Sequence, residues 1–428
     1  MSTVELRRED LHAAVADPAA GSMTFLNEVA ARYPAAISLA AGRPYAQFYS
    51  AADVERYLQI FLKHLRDTGL DEEGIGCWLT QYGRTNGQIG GLVADYLATD
   101  EDIHVDPAAI AVTVGCQEAM VLAVRALCAR PEDVILAAEP TYVGITGAAR
   151  LLNVPVVGVP ESPQGLEPRA VSMAARLARA RGQRPRALYL IPNFANPSGI
   201  SLPLSVRHAL LAVAADEDLL ILEDDPYGQF GVSDLGPPSL KALDTDRRVI
   251  YLGSFAKSCF PGPRVGFLVA DQAVTDAAGR RTVLADELSA VKSMVTVNTS
   301  PITQAVIGGI LVESAGSLRA ANIGKRRFYR HNLRELQSAL AASFPPASGV
   351  RWNRPDGGFF TVLDVGVPAD ENLLELSARE YGVLWTPMSF FYAAGGGSHS
   401  LRVSVSALEP PDIVRGVRRL AQLIDDVR

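Results

Sequence analysis

The chain has 428 residues, with 40 Lys and Arg against 47 Asp and Glu, so its formal net charge is −7. An acidic balance supplies no basic footprint for a nucleic-acid backbone or an anionic bilayer, and neither is expected as a partner. The four cysteines (Cys77, Cys116, Cys128 and Cys259) form no CxxC pair and are too sparse for a stapled scaffold, so free thiols and no metal site are expected.

At the N-terminus, Glu5, Arg7, Arg8, Glu9 and Asp10 exclude the apolar core of a signal peptide, and a cytoplasmic location is expected. Residues 1–50 read as an arm whose Gly42-Arg43-Pro44 bend brings a strand or loop beside a cleft. Short β-branched runs follow at Ile110–Val114, Val134–Ala137, Val156–Val159, Ala187–Ile191, Leu219–Leu222, Val249–Leu252 and Val265–Val269. Between several of them apolar residues recur at helical spacing, as in Met120, Val121, Val124 and Leu127. Strand alternating with helix predicts an α/β domain over 51–315 with a mainly parallel sheet flanked by helices. Leu202–Leu222 is no membrane span, because Arg207, His208, Asp216, Glu217 and Asp218 interrupt it. Residues 316–428 read as a smaller α+β domain, with a helix over Arg319–Leu340, strands at Gly358–Leu363 and Leu401–Val405, and a final amphipathic helix through Ile413, Val417, Leu420 and Ile424. Ala394–Ser398, with three glycines, predicts a mobile loop.

Four segments carry chemistry. Thr113–Met120 joins a strand to a helix through Gly115, where free backbone N–H groups can hold a phosphate, although a glycine turn alone is a weak signal. Ile191–Gly199 packs Asn193 and Asn196 among turn residues, and Leu222–Tyr227 sets carboxylates and a phenol at the end of a buried strand, the end that borders the crevice of an open sheet. Ser254-Phe255-Ala256-Lys257, followed by Pro261, Gly262, Arg264 and Gly266, holds one lysine among small residues, which suits Schiff-base chemistry.

This ordered set resembles the fold-type I pyridoxal-phosphate enzymes of the class I and II aminotransferase family, near the 2-aminoadipate, aromatic and dihydroxyphenylglycine transaminase branch. The resemblance implies an α/β fold with a C-terminal α+β domain, pyridoxal 5′-phosphate as cofactor, and transfer of an α-amino group between an L-amino acid and a 2-oxo acid in specialised or amino-acid biosynthesis. It implies Lys257 as the Schiff-base lysine, Asp224 as partner of the pyridine nitrogen, and Tyr227 and Asn196 as partners of the ring hydroxyl. Cys116 and Gln117 match phosphate-cup positions, Ser254 and Arg264 phosphate ligands, and Tyr142 the cover of the ring face. Tyr82 matches the tyrosine that reaches the phosphate of a neighbouring subunit, which implies a homodimer with shared sites. Arg402 resembles the clamp on the substrate α-carboxylate, and Gly42 and Arg43 face the substrate.

The chemistry of these residues agrees. A carboxylate beside the ring nitrogen favours its protonation and strengthens the electron sink. A guanidinium fork suits two carboxylate oxygens, and an amine can move a proton from Cα. Arg43 either meets a second carboxylate or polar group of the substrate or forms a salt bridge on the arm. Thr386-Pro387-Met388 departs from the glycine that many relatives carry after this proline, so the substrate site can differ there, whereas Cys116 and Cys259 read as packing residues. Two alternatives stay open. One is γ-elimination, replacement or annulation on an activated amino acid such as S-adenosylmethionine; the other, a transcription regulator of this body plan, lacks its basic helix pair in residues 1–50.

Overall fold

A computed structural model of the chain describes residues 4–16, 18–231 and 236–428. The N-terminal segment holds a two-residue strand, β1 (Ile37–Ser38). The aliphatic runs then form the strands of the main sheet: β2 (Ile110–Thr113), β3 (Asp133–Glu139), β4 (Val156–Ser162), β5 (Gly165–Leu166), β6 (Arg184–Leu190), β7 (Leu220–Asp224), β8 (Val249–Ser254) and β9 (Gly266–Val269). Their order in space is β2-β9-β8-β7-β6-β3-β4-β5. From β8 to β4 the strands run parallel, while β9 lies antiparallel between β2 and β8, and β5 closes the far edge antiparallel to β4. The expected parallel sheet is therefore present in mixed form. Continuous aliphatic runs suit strands that helices cover on both faces, and β8 and β9 are buried along almost their whole length.

The parallel strands place their carboxyl ends along one edge. There β6 runs into the Asn193–Asn196 turn, β7 ends at Asp224, and β8 ends at Ser254 just before the short helix Phe255–Ser258. Loops at such an edge can diverge without breaking the ladder, which makes it the natural place for a site.

The C-terminal part builds an antiparallel sheet in the order Arg351–Trp352, Phe360–Asp364, Ser400–Ser404, Thr386–Pro387. Helices Ile323–Ser343 and Pro410–Asp426 pack on it, and Ile413, Val417, Leu420 and Ile424 bury the apolar face that the sequence predicts. The helix expected from Arg319 is interrupted at Asn322, whose buried amide donates to Gln229 Oε1 at 3.3 Å, so Leu318–Ala321 and Ile323–Ser343 are separate elements. Leu26, Val29 and Leu39 join the same apolar cluster as Leu336, Leu363 and Trp385, and β1 pairs in parallel with Val383–Leu384. The N-terminal arm is thus anchored to the C-terminal sheet before it crosses to the main one. Among the described residues, no helix is long and apolar enough to cross a membrane.

Candidate active site

A cavity of about 400 Å³ opens at the carboxyl edge of the main sheet. Its walls combine Gly42 and Arg43 from the arm, Cys116 and Gln117, Tyr142, Asn196, Asp224 and Tyr227, Ser254, Lys257 and Arg264, and Arg402 from the C-terminal sheet. Tyr82 is not among them; it stands on the surface, 85% exposed.

Ser254 Oγ accepts from the Ala256 N–H at 3.2 Å and starts the short helix that carries Lys257. Lys257 Nζ donates to the Gly42 carbonyl at 2.8 Å. Removal from water disfavours its ammonium form, and Arg264 and Arg402 add repulsion, so its pKa is lowered to about 8 despite the attraction of Asp224. The amine is therefore much closer to neutrality than a lysine in water. Lys325 Nζ donates to the Ser258 and Cys259 carbonyls at 2.9 and 3.0 Å, satisfying acceptors at the end of that helix.

Asp224 closes β7 and lines the same cavity as Lys257. Its Oδ2 accepts from Tyr189 Oη at 2.7 Å and its Oδ1 from Cys116 Sγ at 3.5 Å. Burial raises its pKa to about 6, against the opposing pull of those two donors and of Lys257. The neighbouring acids have structural tasks. Glu223 accepts from the Leu240 and Lys241 N–H groups, each at 2.7 Å. Asp225 accepts from Asn193 Nδ2 at 2.7 Å, and Arg207 Nη2 donates to Asn193 Oδ1 at 2.5 Å, so this pair holds the turn that presents Asn196. Tyr227 is buried edge-on to Phe359 and Phe360, and burial pushes its phenol well up, with Asn196 opposing. The Tyr142 phenol is pushed up to about 12 by burial, with Asp224 adding to the effect.

The helix Gly115–Leu127 points its N-terminus at the cavity. Gly115 has φ +71°, and a Cβ there would lie 2.6 Å from Arg264 Nη2; one on Gly266 would lie 2.7 Å from the Cys116 nitrogen. Both glycines keep open a cradle formed by the helix start, β9 and Arg264. The first N–H groups of a helix have no intrahelical acceptor and favour an anion. The Gln117 side chain turns away and donates to the Gly144 carbonyl at 2.8 Å, leaving its backbone for that cradle.

Arg402 is only 5% exposed. Its Nη1 donates to Asn196 Oδ1 at 2.5 Å, and its Nη2 to the Ala40 carbonyl at 2.9 Å and Thr386 Oγ1 at 3.1 Å. Phe360 and Phe391 flank the guanidinium at 4.3 and 4.9 Å, Nε is buried without a partner, and burial lowers the pKa to about 10. Among the described residues it has no carboxylate partner, so an incoming anion would meet a desolvated fork already in place. Arg43 is exposed and forms no ion pair among the described residues, while its carbonyl accepts from Ser406 Oγ at 2.6 Å.

Several wall and support residues escape a reading of the sequence. Tyr189 leaves one trace, a phenol in an otherwise apolar strand; Met120, Phe360 and Phe391 look like ordinary core. Met388 is buried and is not a cavity wall, and its neighbour Phe391 is the residue that reaches Arg402. Cys259 packs in the core as expected, but the Cys116 thiol does more than pack, since it meets Asp224.

An anion cradle, a buried carboxylate, a desolvated amine and an unpaired guanidinium in one cavity fit pyridoxal phosphate together with an amino-acid carboxylate. The family described as aminotransferase class I and II matches residues 67–420. The (S)-3,5-dihydroxyphenylglycine transaminase of Amycolatopsis orientalis is 46% identical over 423 residues, covering 99% of this chain and 95% of that protein. The crystal structure of Pyrococcus horikoshii kynurenine aminotransferase superposes with a TM-score of 0.80 at 26% identity, covering 95% of this chain and 94% of that one. The α-aminoadipate aminotransferase of Thermus thermophilus, complexed with N-(5′-phosphopyridoxyl)-L-leucine, gives 0.77 at 30% identity, covering 96% and 97%.

Proposed function

The chain belongs to the class I and II aminotransferase family, whose members are pyridoxal-phosphate enzymes of amino-acid metabolism, and from that premise we propose that it moves an α-amino group between an aromatic L-amino acid and a 2-oxo acid. The observation that carries this reading is the convergence of Lys257, Asp224 and Arg402 on one cavity. The cofactor, when bound, supplies the electron sink that makes the substrate Cα–H acidic.

The chain's own residues supply the rest. Lys257 Nζ would hold the cofactor and is the amine placed to move a proton at the substrate Cα. Asp224 would hold a proton at the ring nitrogen, Tyr227 and Asn196 would bond the ring hydroxyl, and Tyr142 would pack against the ring. The N–H groups of Cys116 and Gln117, with Ser254 and Arg264, would bind the phosphate. Arg402 takes the α-carboxylate, while Gly42 and Arg43 border the substrate side chain. The 46% identity to a protein named for an aryl-glycine substrate favours that class. The proposal includes a homodimer in which Tyr82 serves the partner's phosphate, and a cytoplasmic location, with which four free thiols agree.

A single-turnover screen tests it, with (S)-3,5-dihydroxyphenylglycine, phenylalanine, 2-aminoadipate and S-adenosylmethionine as donors. Stoichiometric pyridoxamine phosphate and a 2-oxo acid are expected from an aromatic donor. Release of a γ-substituent without pyridoxamine phosphate would replace amino transfer by an elimination or replacement reaction.

A further inference from the structure

Cys116 occupies the second position of a 13-residue helix, where the backbone N–H groups face the phosphate cradle. Its side chain goes elsewhere. Sγ lies 3.5 Å from Asp224 Oδ1, and both residues are walls of the same cavity, whereas the other donor to this carboxylate, Tyr189, is fully buried behind it. One carboxylate oxygen thus accepts from a phenol and the other from a thiol.

We propose that Cys116 is a positioning residue for Asp224, its S–H donating to Oδ1 so that the carboxylate stays charged and keeps one orientation toward the cavity. The assignment of a function to that orientation rests on the aminotransferase reading; the contact itself does not. Burial pushes the Cys116 thiol well up, with Asp224 adding to the effect, so the sulfur keeps the proton that it donates. A thiol is a weaker donor than a hydroxyl, which makes this a soft restraint beside the short Tyr189 bond. The other groups facing Asp224 are Asp225 next to it in the chain, Lys257 from beyond β8, and Tyr142 and Tyr227 from the cavity walls. Burial and Asp225 favour the neutral carboxyl, whereas the Tyr189 and Cys116 donors and Lys257 favour the charged form.

Infrared spectra of the full-length protein, before and after addition of pyridoxal phosphate, test the assignment. The S–H stretch of Cys116 is expected below that of exposed Cys77, to vanish in C116A and to move back toward the free-thiol position in D224N. The carboxylic-acid band that D224N deletes is expected to appear about one pH unit higher in C116A than in the wild type, because a lost donor no longer favours the charged form. C116S, which restores a donor, is expected to titrate near the wild type. A Cys116 band indifferent to D224N, or a C116A carboxyl band that appears at the wild-type pH, would overturn the proposal. Failure of the wild type to bind pyridoxal phosphate would strike the aminotransferase reading instead, and the spectra of the cofactor-free chain would still decide on the thiol.

Discussion

Burying Arg402 without an acidic partner costs free energy that an incoming carboxylate can offset, so its removal should be felt when substrate arrives. Arg402→Ala is expected to lower kcat/KM by about 10²–10³-fold, the loss of a charge-assisted bidentate pair in a desolvated site, as read by steady-state kinetics. Asp224 illustrates a related tension. Its folded-state pKa of about 6 lies above the ordinary 3.8, so between these values the native chain holds a proton that the unfolded chain has released. Stability of the cofactor-free protein should therefore fall as pH climbs through that window, by about 1–3 kcal/mol. Melting curves from pH 4 to 7 should show this decline in the wild type and a flatter profile in D224N; parallel profiles would remove Asp224 as its source. At this scale the sequence was most informative about residues framed by turn formers, such as Lys257 and Asn196. Tyr189 and the Cys116 thiol were hidden, because their meaning comes from Asp224, which lies 35 and 108 positions away in the chain.

Among the elements, the start of the helix Gly115–Leu127 is tightly constrained. Gly115→Ala would demand a left-handed Cβ that runs into Arg264, so it is expected to destabilise the chain by about 1–2 kcal/mol and to weaken pyridoxal-phosphate binding at least tenfold. Thermal shift with and without cofactor separates the two effects, and a purely global loss would show no change in cofactor response. The buried strands were legible because helices cover both faces and leave uninterrupted aliphatic runs, as in β3 and β8. β1 and its partner Val383–Leu384 were not, since two residues have no period and their pairing joins Ile37 to the distant Val383. The interruption at Asn322 was equally invisible, because the polar side chain finds its bond in Gln229.

Across the whole molecule, Tyr82 stands out as a large aromatic residue left 85% exposed while every other resemblance-derived position reaches the cavity. If it serves a neighbouring subunit, Y82A and K257A chains should complement one another: a mixed dimer holds one site with both Lys257 and the partner's Tyr82. Activity on mixing, after co-refolding, should exceed the sum of the two separate variants, and simple additivity would remove Tyr82 from a shared site. A different dependence is already present inside one chain. Lys257 Nζ bonds the Gly42 carbonyl and Arg402 Nη2 the Ala40 carbonyl, so two of the cations assigned to ligands also moor the backbone of the N-terminal strap. A ligand that claimed one of these groups would slip a mooring, which would make the strap a mechanical gauge of occupancy. Amide exchange at Gly42, Arg43 and Tyr45 should accordingly quicken when the cofactor takes Lys257, and should already be quick in K257A.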